Sequence, residues 1–320
     1  MFRILSLDGG GIKGAFTASV LAQLEADTGH SVIDHFDLIT GTSTGGILAI
    51  GLGMGFSASE LTEFYEESGP IIFPGTSKLS KAKGIFKQIF KPKHSQQTLK
   101  SEIEKILGDK KFGESKCRLV IPTYDAIAGR IYLLKTAHHQ RFSNDIDAPA
   151  VDVALATSAA PTYFEAADFP TLKNASFVDG GLWANNPSLV GVVEAVHFLN
   201  IPLSEIDVLS IGTTTQPFSI SENSDAGIAS WNLGIVDVMF EGQMEAAQKQ
   251  TDLLLNGRTH RINFMAKEGE FSIDKAAPKT ISNLISLGAG EARKKVNLDV
   301  VKSRFLNGIK IRKFQPIHSV

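Results

Sequence analysis

The chain has 320 residues, and its 32 lysines and arginines against 34 aspartates and glutamates give a formal net charge of −2. A domain that binds nucleic acid over its whole surface is expected to be strongly basic, so this balance excludes that class of protein. With 43% hydrophobic and 21% charged residues, the composition is that of a globular protein and not of a disordered one.

The cysteine content and the N-terminal sequence indicate a reducing compartment. Cys117 is the only cysteine, so an intrachain disulfide framework and a cysteine-rich zinc site are excluded. Residues 2–7 already resemble a strand and lack the basic and apolar regions of a signal peptide. The longest nearly apolar stretch, residues 45–56, is about half the roughly 20 residues that a membrane-spanning helix needs. We therefore expect a cytoplasmic protein that meets a membrane only from its surface.

Short apolar runs alternate with helical patterns over the first two thirds of the chain. This alternation predicts an α/β fold with a central, mostly parallel sheet and helices on both faces. The predicted strands are residues 4–7, 36–40, 118–121, 130–134 and 207–211, and the predicted helices are residues 14–25, 47–52, 151–158 and 187–199. We expect a single domain over residues 1–320. Its core covers about 1–215, and a mostly helical extension over 216–320 contains one strand-like run at 260–264.

A glycine-rich segment, Asp-Gly-Gly-Gly-Ile-Lys-Gly at residues 8–14, follows the first predicted strand and opens a helix. Its glycines match the dinucleotide pattern G-x-G-x-x-G, but the acidic residue required about 20 positions later is replaced by the sequence 40–43, Thr-Gly-Thr-Ser. Consecutive glycines beside a helix N-terminus expose backbone N–H groups, which predicts a site for a negatively charged group. A non-catalytic nucleotide-binding module remains an alternative at this point.

The sequence Gly-Thr-Ser-Thr-Gly at residues 41–45 follows an apolar strand and precedes a helix of small residues. This is the context that the G-x-S-x-G nucleophile elbow requires, because glycines relieve crowding at a sharp strand-to-helix turn. Ser43 would present its hydroxyl at the helix N-terminus, where a partial charge of roughly +0.5 favours a developing anion. We expect Ser43 to be a catalytic nucleophile.

A serine nucleophile needs a base, and Asp179 is the preferred candidate. It ends the apolar run Phe-Val-Asp and is followed by two glycines, which would allow a tight turn close to the elbow. Burial beside a serine would raise the pKa of its carboxyl from roughly 3.9 towards neutrality. No histidine lies in a recognisable motif, and a Ser-His-Asp hydrolase that uses His197 or His260 is the alternative.

Residues 78–93 contain six lysines and no acidic residue, with apolar residues at helical spacing between them. A basic amphipathic pattern of this kind is typical of a helix that contacts an anionic lipid surface, and equally of a solvated surface helix. The candidates for a membrane contact or a lid are Lys83, Phe86, Lys87, Phe90 and Lys91. Residues 293–313 are also basic, and for them we favour a solvated surface.

The blocks at residues 8–14, 41–45 and 179–181 together resemble the three signature motifs of the patatin-like phospholipase family, in the family's order. Further agreement lies at residues 64–73, 156–164, 185–187 and 210–213. The resemblance covers about residues 1–215. It implies the patatin-like three-layer α/β/α fold, with a central mostly parallel sheet and a strand-turn-helix nucleophile elbow.

The resemblance also implies a chemistry. It predicts a lipid acyl hydrolase of the phospholipase A type, which cleaves carboxylic esters of membrane phospholipids with a Ser43–Asp179 dyad and needs no cofactor and no metal. The N–H groups of Gly10 and Gly11, with Gly9 and Thr44 as further candidates, would hold the oxyanion. Lys13 is the candidate for attraction of the lipid phosphate.

Short bacterial members of this family include effectors of antiphage defence that a cyclic nucleotide activates. The resemblance therefore suggests a cyclic nucleotide activator, although no nucleotide pocket is recognisable in the sequence. It also suggests peripheral membrane association, with residues 78–93 as the docking element or lid. The oligomeric state, the head-group preference and the acyl-chain preference are left open.

Overall fold

The structure, a computed structural model, describes residues 1–74, 92–172, 175–216, 234–267, 269–318 and 320. Its strands are β1 (Phe2–Leu7), β2 (Leu38–Gly41), β3 (Arg118–Asp125), β4 (Arg130–Lys135), β5 (Ala167–Asp168), β6 (Ser176–Asp179), β7 (Ile206–Ile211) and β8 (Thr259–Ile262). They form one sheet in the order β5-β6-β3-β2-β1-β7-β8, with β4 paired to β3. The central strands β3, β2, β1, β7 and β8 are parallel, and the remaining pairs are antiparallel.

Helices cover the two faces of this sheet. They are α1 (Gly14–Thr28), α2 (Thr44–Gly53), α3 (Ala58–Ile72), α4 (Gln96–Leu107), α5 (Ala150–Ser158), α6 (Gly181–Ala184), α7 (Ser188–His197), α8 (Gly234–Leu254), α9 (Pro278–Arg293) and α10 (Lys295–Val300). A single π-helical turn, Val301–Phe305, follows α10. All ten residues of α2 are buried, as expected for a helix that is apolar on every side.

The core divides into two parts because side chains alternate between the faces of each strand. Leu5 and Leu7 of β1 belong to the larger part, together with residues of α1, α2, α3, α5 and α9. Ile4 of the same strand faces the smaller part, which includes Val192 and Ala195 of α7. The predicted three-layer α/β/α architecture with a mostly parallel sheet is therefore confirmed.

Residues after 216 contribute directly to this core. β8 pairs with β7 in parallel and extends the sheet. Ile281 and Leu284 of α9 are completely buried in the larger part of the core. Gly288 of α9 approaches α1 so closely that a Cβ there would lie 2.4 Å from the carbonyl oxygen of Phe16. The helical extension and the first 215 residues thus share one core.

Two strands meet end to end along one edge of β3. β2 pairs with its first half, with Thr40 opposite Val120, and β6 pairs with its second half, with Asp179 opposite Thr123. β4 occupies the other edge of β3 beside both halves. Because β2 runs parallel and β6 antiparallel to β3, their carboxyl ends point towards each other near Pro122. This arrangement brings two distant segments of the chain together.

Among the described residues, no helix combines the length and the apolar character needed to cross a bilayer. The residues named above as membrane or lid candidates, Lys83, Phe86, Lys87, Phe90 and Lys91, lie outside the described residues. Their role stays a prediction.

Candidate active site

The turn between β2 and α2 holds Ser43 in an unusual backbone conformation. Its φ of 54° and ψ of −121° lie in a region that residues other than glycine rarely adopt and that often marks a functional site. The N–H of Ser43 donates to the hydroxyl of Thr157 at 3.0 Å, and that hydroxyl donates to the carbonyl of Pro122 at 2.7 Å. Thr157 therefore fixes the turn against β3.

The glycines of the turn are required by close backbone contacts. A Cβ on Gly41 would lie 2.1 Å from the carbonyl oxygen of Gly45, and a Cβ on Gly45 would lie 2.2 Å from that of Leu7. Real Cβ atoms do not approach backbone oxygens this closely. The G-x-S-x-G pattern therefore has a structural cause: it lets the start of α2 pass directly against β1 and β2.

Ser43 and Asp179 form a hydrogen-bonded pair although 136 positions separate them. The Ser43 hydroxyl donates to Oδ2 of Asp179 at 2.6 Å, and Oδ1 of the same carboxylate accepts the N–H of Gly181 at 2.6 Å. Ser43 is 9% exposed and Asp179 is 5% exposed. The carboxylate is thus fixed on both oxygens, and one of them is placed to accept the serine proton.

Burial sets the basicity of this carboxylate. Removal from water raises the pKa of Asp179 from 3.8 to about 6, and the hydrogen bonds from Ser43 and Gly181 oppose that rise. Within the described part of the chain, no histidine or cationic side chain contacts the carboxylate. A base with a pKa near 6 is mostly ionised at neutral pH and is a better proton acceptor than an ordinary aspartate.

The glycine-rich loop after β1 lies beside Ser43. A Cβ on Gly9 would lie 3.3 Å from the Cβ of Ser43, which measures how closely the loop approaches the nucleophile. In the described structure, the N–H groups of Gly10 and Gly11 have no hydrogen-bond partner. The two groups are therefore available to an oxyanion, and their role as its donors stays a prediction.

The prediction that Gly9 donates to the oxyanion is wrong. Its N–H already donates to the carbonyl of Asn185 at 3.0 Å. Its carbonyl accepts the hydroxyl of Thr213 at 3.0 Å, so both backbone groups of Gly9 are used to hold the loop. Gly9 is needed instead for space, since a Cβ there would lie 2.3 Å from Oδ1 of Asn185.

Thr44 can contribute only through its backbone. Its hydroxyl forms a short hydrogen bond with the Tyr65 hydroxyl, which also donates to the carbonyl of Thr44 at 3.1 Å. The N–H of Thr44 lies in the first turn of α2, where backbone N–H groups lack helical acceptors. It remains the third candidate donor.

Lys13 follows the loop, and its ammonium donates to the carbonyl of Thr214 at 3.0 Å. The ammonium is therefore held near the ends of β1 and β7. A role in attracting the lipid phosphate stays a prediction.

Asp8 and Arg261 form an ion pair behind the glycine-rich loop that sequence reasoning missed. Arg261 of β8 binds both carboxylate oxygens of Asp8, at 3.0 and 2.5 Å, and also the hydroxyl of Ser210. The Asp8 side chain is 1% exposed. Burial raises the pKa of Asp8, and the Arg261 guanidinium opposes that rise. The pair joins the loop to the C-terminal third of the chain.

The histidines considered as alternative bases lie elsewhere. His197 is exposed at the end of α7, and its ring packs against Phe198. His260 bonds Asn297 at 3.0 Å through Nε2. Neither contacts Ser43 or Asp179, so the geometry gives no support to a Ser-His-Asp arrangement. Among the described residues there is also no cluster of three or more metal-ligating side chains.

The supporting residues that sequence reasoning missed differ in whether a sequence motif surrounds them. Thr157 and Asn185 lie in blocks that already resembled the family, although no role was apparent from the residues themselves. Arg261 lies in a strand-like run without any motif, and its partner is 253 positions away. Only the folded structure could identify it.

Known proteins of similar sequence identify the family of this chain. The family model for patatin-like phospholipases matches residues 5–190. A cGAMP-activated phospholipase of Vibrio cholerae serotype O1 is 35% identical, with 89% of each chain covered, and one of Pseudomonas aeruginosa is 34% identical, with 90% of this chain and 84% of the relative covered. Patatin-like protein 4 of Arabidopsis thaliana is 29% identical over 90% of this chain and 82% of its own. The chain therefore belongs to the patatin-like phospholipase family and is a lipid hydrolase of that family.

Proposed function

We propose that the protein releases fatty acids from membrane phospholipids by hydrolysing their carboxylic esters, with Ser43 as nucleophile and Asp179 as base. The observation that carries this proposal is the 2.6 Å hydrogen bond between the Ser43 hydroxyl and the buried Asp179 carboxylate. The available N–H groups of Gly10 and Gly11 beside the pair support the same assignment.

In the first half of the reaction, Oγ of Ser43 attacks the ester carbonyl carbon while Asp179 takes the hydroxyl proton. The carbonyl oxygen becomes an oxyanion that receives hydrogen bonds from the N–H groups of Gly10, Gly11 and Thr44. One such donor contributes about 2.7–4 kcal/mol to stabilisation of the transition state. Asp179 then protonates the departing lysophospholipid oxygen, and the acyl group stays on Ser43.

In the second half, water attacks the acyl-enzyme and Asp179 accepts a proton from that water. Collapse of the new tetrahedral intermediate releases the fatty acid, and Asp179 returns a proton to Ser43. A carboxyl with a pKa of about 6 suits both directions of transfer, because an effective acid–base group has a pKa near the working pH.

Alanine and asparagine substitutions test the dyad directly. Ser43→Ala and Asp179→Asn are each expected to lower fatty-acid release from phospholipid vesicles by at least about a thousandfold. Ser158→Ala is the matched control, because Ser158 is another buried serine and its hydroxyl donates to the carbonyl of Ala154 at 2.6 Å. Retained activity in either dyad variant, or equal loss in His260→Gln, would rule out this mechanism.

The proposal includes activation by a cyclic dinucleotide and an effector role in antiviral defence through degradation of the cell's own membrane. Relatives named cGAMP-activated phospholipases, at 35% and 34% identity over 89% and 90% of this chain, support the activation by a cyclic dinucleotide. Phospholipid hydrolysis with and without a panel of cyclic dinucleotides tests the regulation. We expect cGAMP to stimulate fatty-acid release at least tenfold, and the absence of stimulation by every member of the panel would contradict activation.

A bilayer substrate also requires that the protein bind a membrane surface. We include peripheral membrane association in the proposal, with Lys13 attracting the lipid phosphate. Lys13 lies two residues after Gly11 in the sequence, and its ammonium donates to the carbonyl of Thr214. Loss of phosphate attraction in Lys13→Gln would appear as a higher KM for phospholipid with little change for an uncharged ester.

A further inference from the structure

One edge of the sheet carries large apolar side chains that face solvent. We call it the carboxyl edge, because the parallel strands β1, β2, β3, β7 and β8 all end there. The exposed side chains are Ile127 (64%), Ile131 (53%), Leu182 (45%), Met239 (64%) and Met265 (66%). Single exposed apolar residues are ordinary on protein surfaces, so their common position is what requires an explanation.

Three of these residues are placed by the strands themselves. Ile127 lies in the turn between β3 and β4, and Ile131 is the second residue of β4; the last pair of that hairpin joins Asp125 to Arg130. Met265 lies three residues after the end of β8, and its backbone pairs with Thr215 beyond the end of β7. Asp179 pairs with Thr123, two residues before the end of β3. The turn that follows β3 therefore lies beyond Asp179 in the direction of the carboxyl edge.

The other two residues flank the dyad. Leu182 lies in α6, three positions after Asp179. Its carbonyl accepts the side-chain amide of Gln243 in α8 at 3.5 Å. The ring of Phe240, next to Met239, lies 3.5 Å from the position of a Cβ on Gly181. The start of α8 and the short helix α6 thus form the border of the site next to Asp179.

Both ends of the sheet carry basic residues, but only one end lies near the dyad. At the opposite end, which we call the amino edge, the basic segment 293–313 is attached to strand beginnings: Arg304 pairs with Asp207 of β7, and Arg3 of β1 donates to the carbonyl of Ile309. A protein held on a bilayer by that segment would direct its dyad away from the lipid. On the carboxyl edge, the exposed cations Arg130 and Lys267 adjoin Ile131 and Met265, and the exposed Glu270 accepts the backbone N–H of Lys267 at 2.9 Å.

We propose that Ile127, Ile131, Leu182, Met239 and Met265 form a docking surface that inserts into the interfacial region of a phospholipid bilayer. An apolar surface around a site whose substrate is a lipid fits this occupant, and insertion would bring the dyad to the level of the ester bonds. The adjoining cations match the phosphates of the head groups. This inference rests on the proposed phospholipase function, since that function places the substrate in a bilayer.

Helix α8 offers a matched pair of substitutions for the test. Met239 lies near its first turn on the carboxyl edge, whereas Leu253 lies in its last turn near the start of β8 and is 78% exposed. Full-length variants Met239→Asp, Ile127→Asp and Leu253→Asp are mixed with phosphatidylcholine vesicles in the presence of cGAMP, and binding is measured by co-sedimentation. The partition coefficient is expected to fall at least tenfold for the first two variants and to stay unchanged for Leu253→Asp.

A short-chain, water-soluble ester separates docking from catalysis. Because Ile127 and Leu253 are exposed and do not border the dyad, Ile127→Asp and Leu253→Asp are expected to hydrolyse it like the unmodified protein. If the unmodified protein cleaves neither this ester nor phospholipid, the proposed function fails. An equal loss of vesicle binding in Leu253→Asp, or unchanged binding in the other two variants, overturns the docking surface while the dyad stands.

A site-specific fluorophore provides a second readout that does not depend on substitution by charge. Cys117 is 1% exposed, so a cysteine introduced as Ile127→Cys or Leu253→Cys would be labelled selectively by a polarity-sensitive dye. Vesicles are expected to shift the emission of the dye at position 127 to the blue by at least 10 nm and to leave that at position 253 unchanged. No shift at position 127 would contradict insertion of the carboxyl edge.

Discussion

Asp179 is buried where its negative charge is unfavourable, and in the proposed mechanism its pKa sets the pH dependence of ester hydrolysis. Its pKa of about 6 results from burial, and only the ionised form can accept the proton of Ser43. We expect kcat/KM for a soluble ester to fall about tenfold per pH unit below about pH 6 and to be level above it. Initial rates between pH 4 and 9 measure this.

The control for that profile is His260→Gln. Since His260 lies away from the dyad and bonds Asn297, its removal is expected to leave the acid limb in place. An acid limb that disappears in this variant would assign the base to His260 and not to Asp179.

The same burial means that the ionised carboxylate of Asp179 lowers the free energy of unfolding at neutral pH. The folded-state pKa of about 6 lies above the ordinary value of 3.8, so ionisation destabilises the folded state progressively between about pH 4 and 6. The full effect is of the order of 3 kcal/mol, because one pKa unit corresponds to about 1.4 kcal/mol. Asp179→Asn cannot ionise, and its free energy of unfolding relative to the unmodified protein is expected to rise across this range and then level off. Urea unfolding at pH 4, 5, 6 and 7.5 measures it, and a constant difference would contradict the raised pKa.

At the scale of elements, the elbow depends on how closely α2 approaches β1. A Cβ on Gly45 would lie 2.2 Å from the carbonyl oxygen of Leu7 and 2.7 Å from that of Asp8. Gly45→Ala must push the helix away from the strand, and we expect a loss of at least about 2 kcal/mol in the free energy of unfolding, together with loss of ester hydrolysis. Thermal and urea unfolding measure the first effect.

Gly242→Ala is the matched control for this substitution. Gly242 lies within helix α8, where an added Cβ would meet no atom within 4 Å beyond its chain neighbours and the adjoining backbone of the helix. Since alanine is favoured over glycine in a helix by about 1 kcal/mol, this variant is expected to be equally stable or slightly more stable. Similar destabilisation of both variants would show that close packing is not the reason for glycine at position 45.

The elbow itself could be predicted from the sequence because its signals are local. The elbow combines a strand, a turn with glycines on both sides of Ser43 and a helix of small residues, which follow one another directly. The predicted beginning and end of each strand also lie within a few residues of the observed ones. Asp179 was visible for the same reason, as the end of an apolar run before two glycines. The proposal of Asp179 as the base therefore followed from short segments and from the resemblance to a family.

What could not be predicted depends on contacts between distant segments. The meeting of β2 and β6 requires that both choose the same edge of β3, which no local pattern encodes. The N–H of Gly9 looked as available as those of its neighbours until Asn185, 176 positions later, was found to accept it. The same holds for Arg261, whose guanidinium pairs with the carboxylate of Asp8 although 253 positions separate the two residues.

At the scale of the whole molecule, the Asp8–Arg261 pair makes the C-terminal third part of the active site's support. Removing one partner of a buried ion pair costs about 3–5 kcal/mol, because the other charge is left unpaired. We expect Arg261→Gln to destabilise the protein by about that amount and to lower kcat at least tenfold, since Asp8 begins the loop that holds the proposed oxyanion donors. Activity per folded molecule is measured well below the unfolding temperature.

Arg304→Gln is the control for this prediction. Arg304 also joins the C-terminal third to a buried carboxylate, that of Asp207, at 2.5 Å, but it does so on the amino edge. The variant Arg304→Gln is expected to reduce the free energy of unfolding and to leave kcat unchanged. A fall in kcat of equal size in both variants would reduce the role of Arg261 to general stability.

The central claim is that Ser43, activated by Asp179, is the nucleophile. A fluorophosphonate reacts covalently with an activated serine, and peptide mapping by mass spectrometry identifies the modified residue. We expect a single adduct on Ser43 whose formation is at least a hundredfold slower in Asp179→Asn. An adduct on another serine, or equal reactivity of Ser43 without the Asp179 carboxylate, would contradict the account.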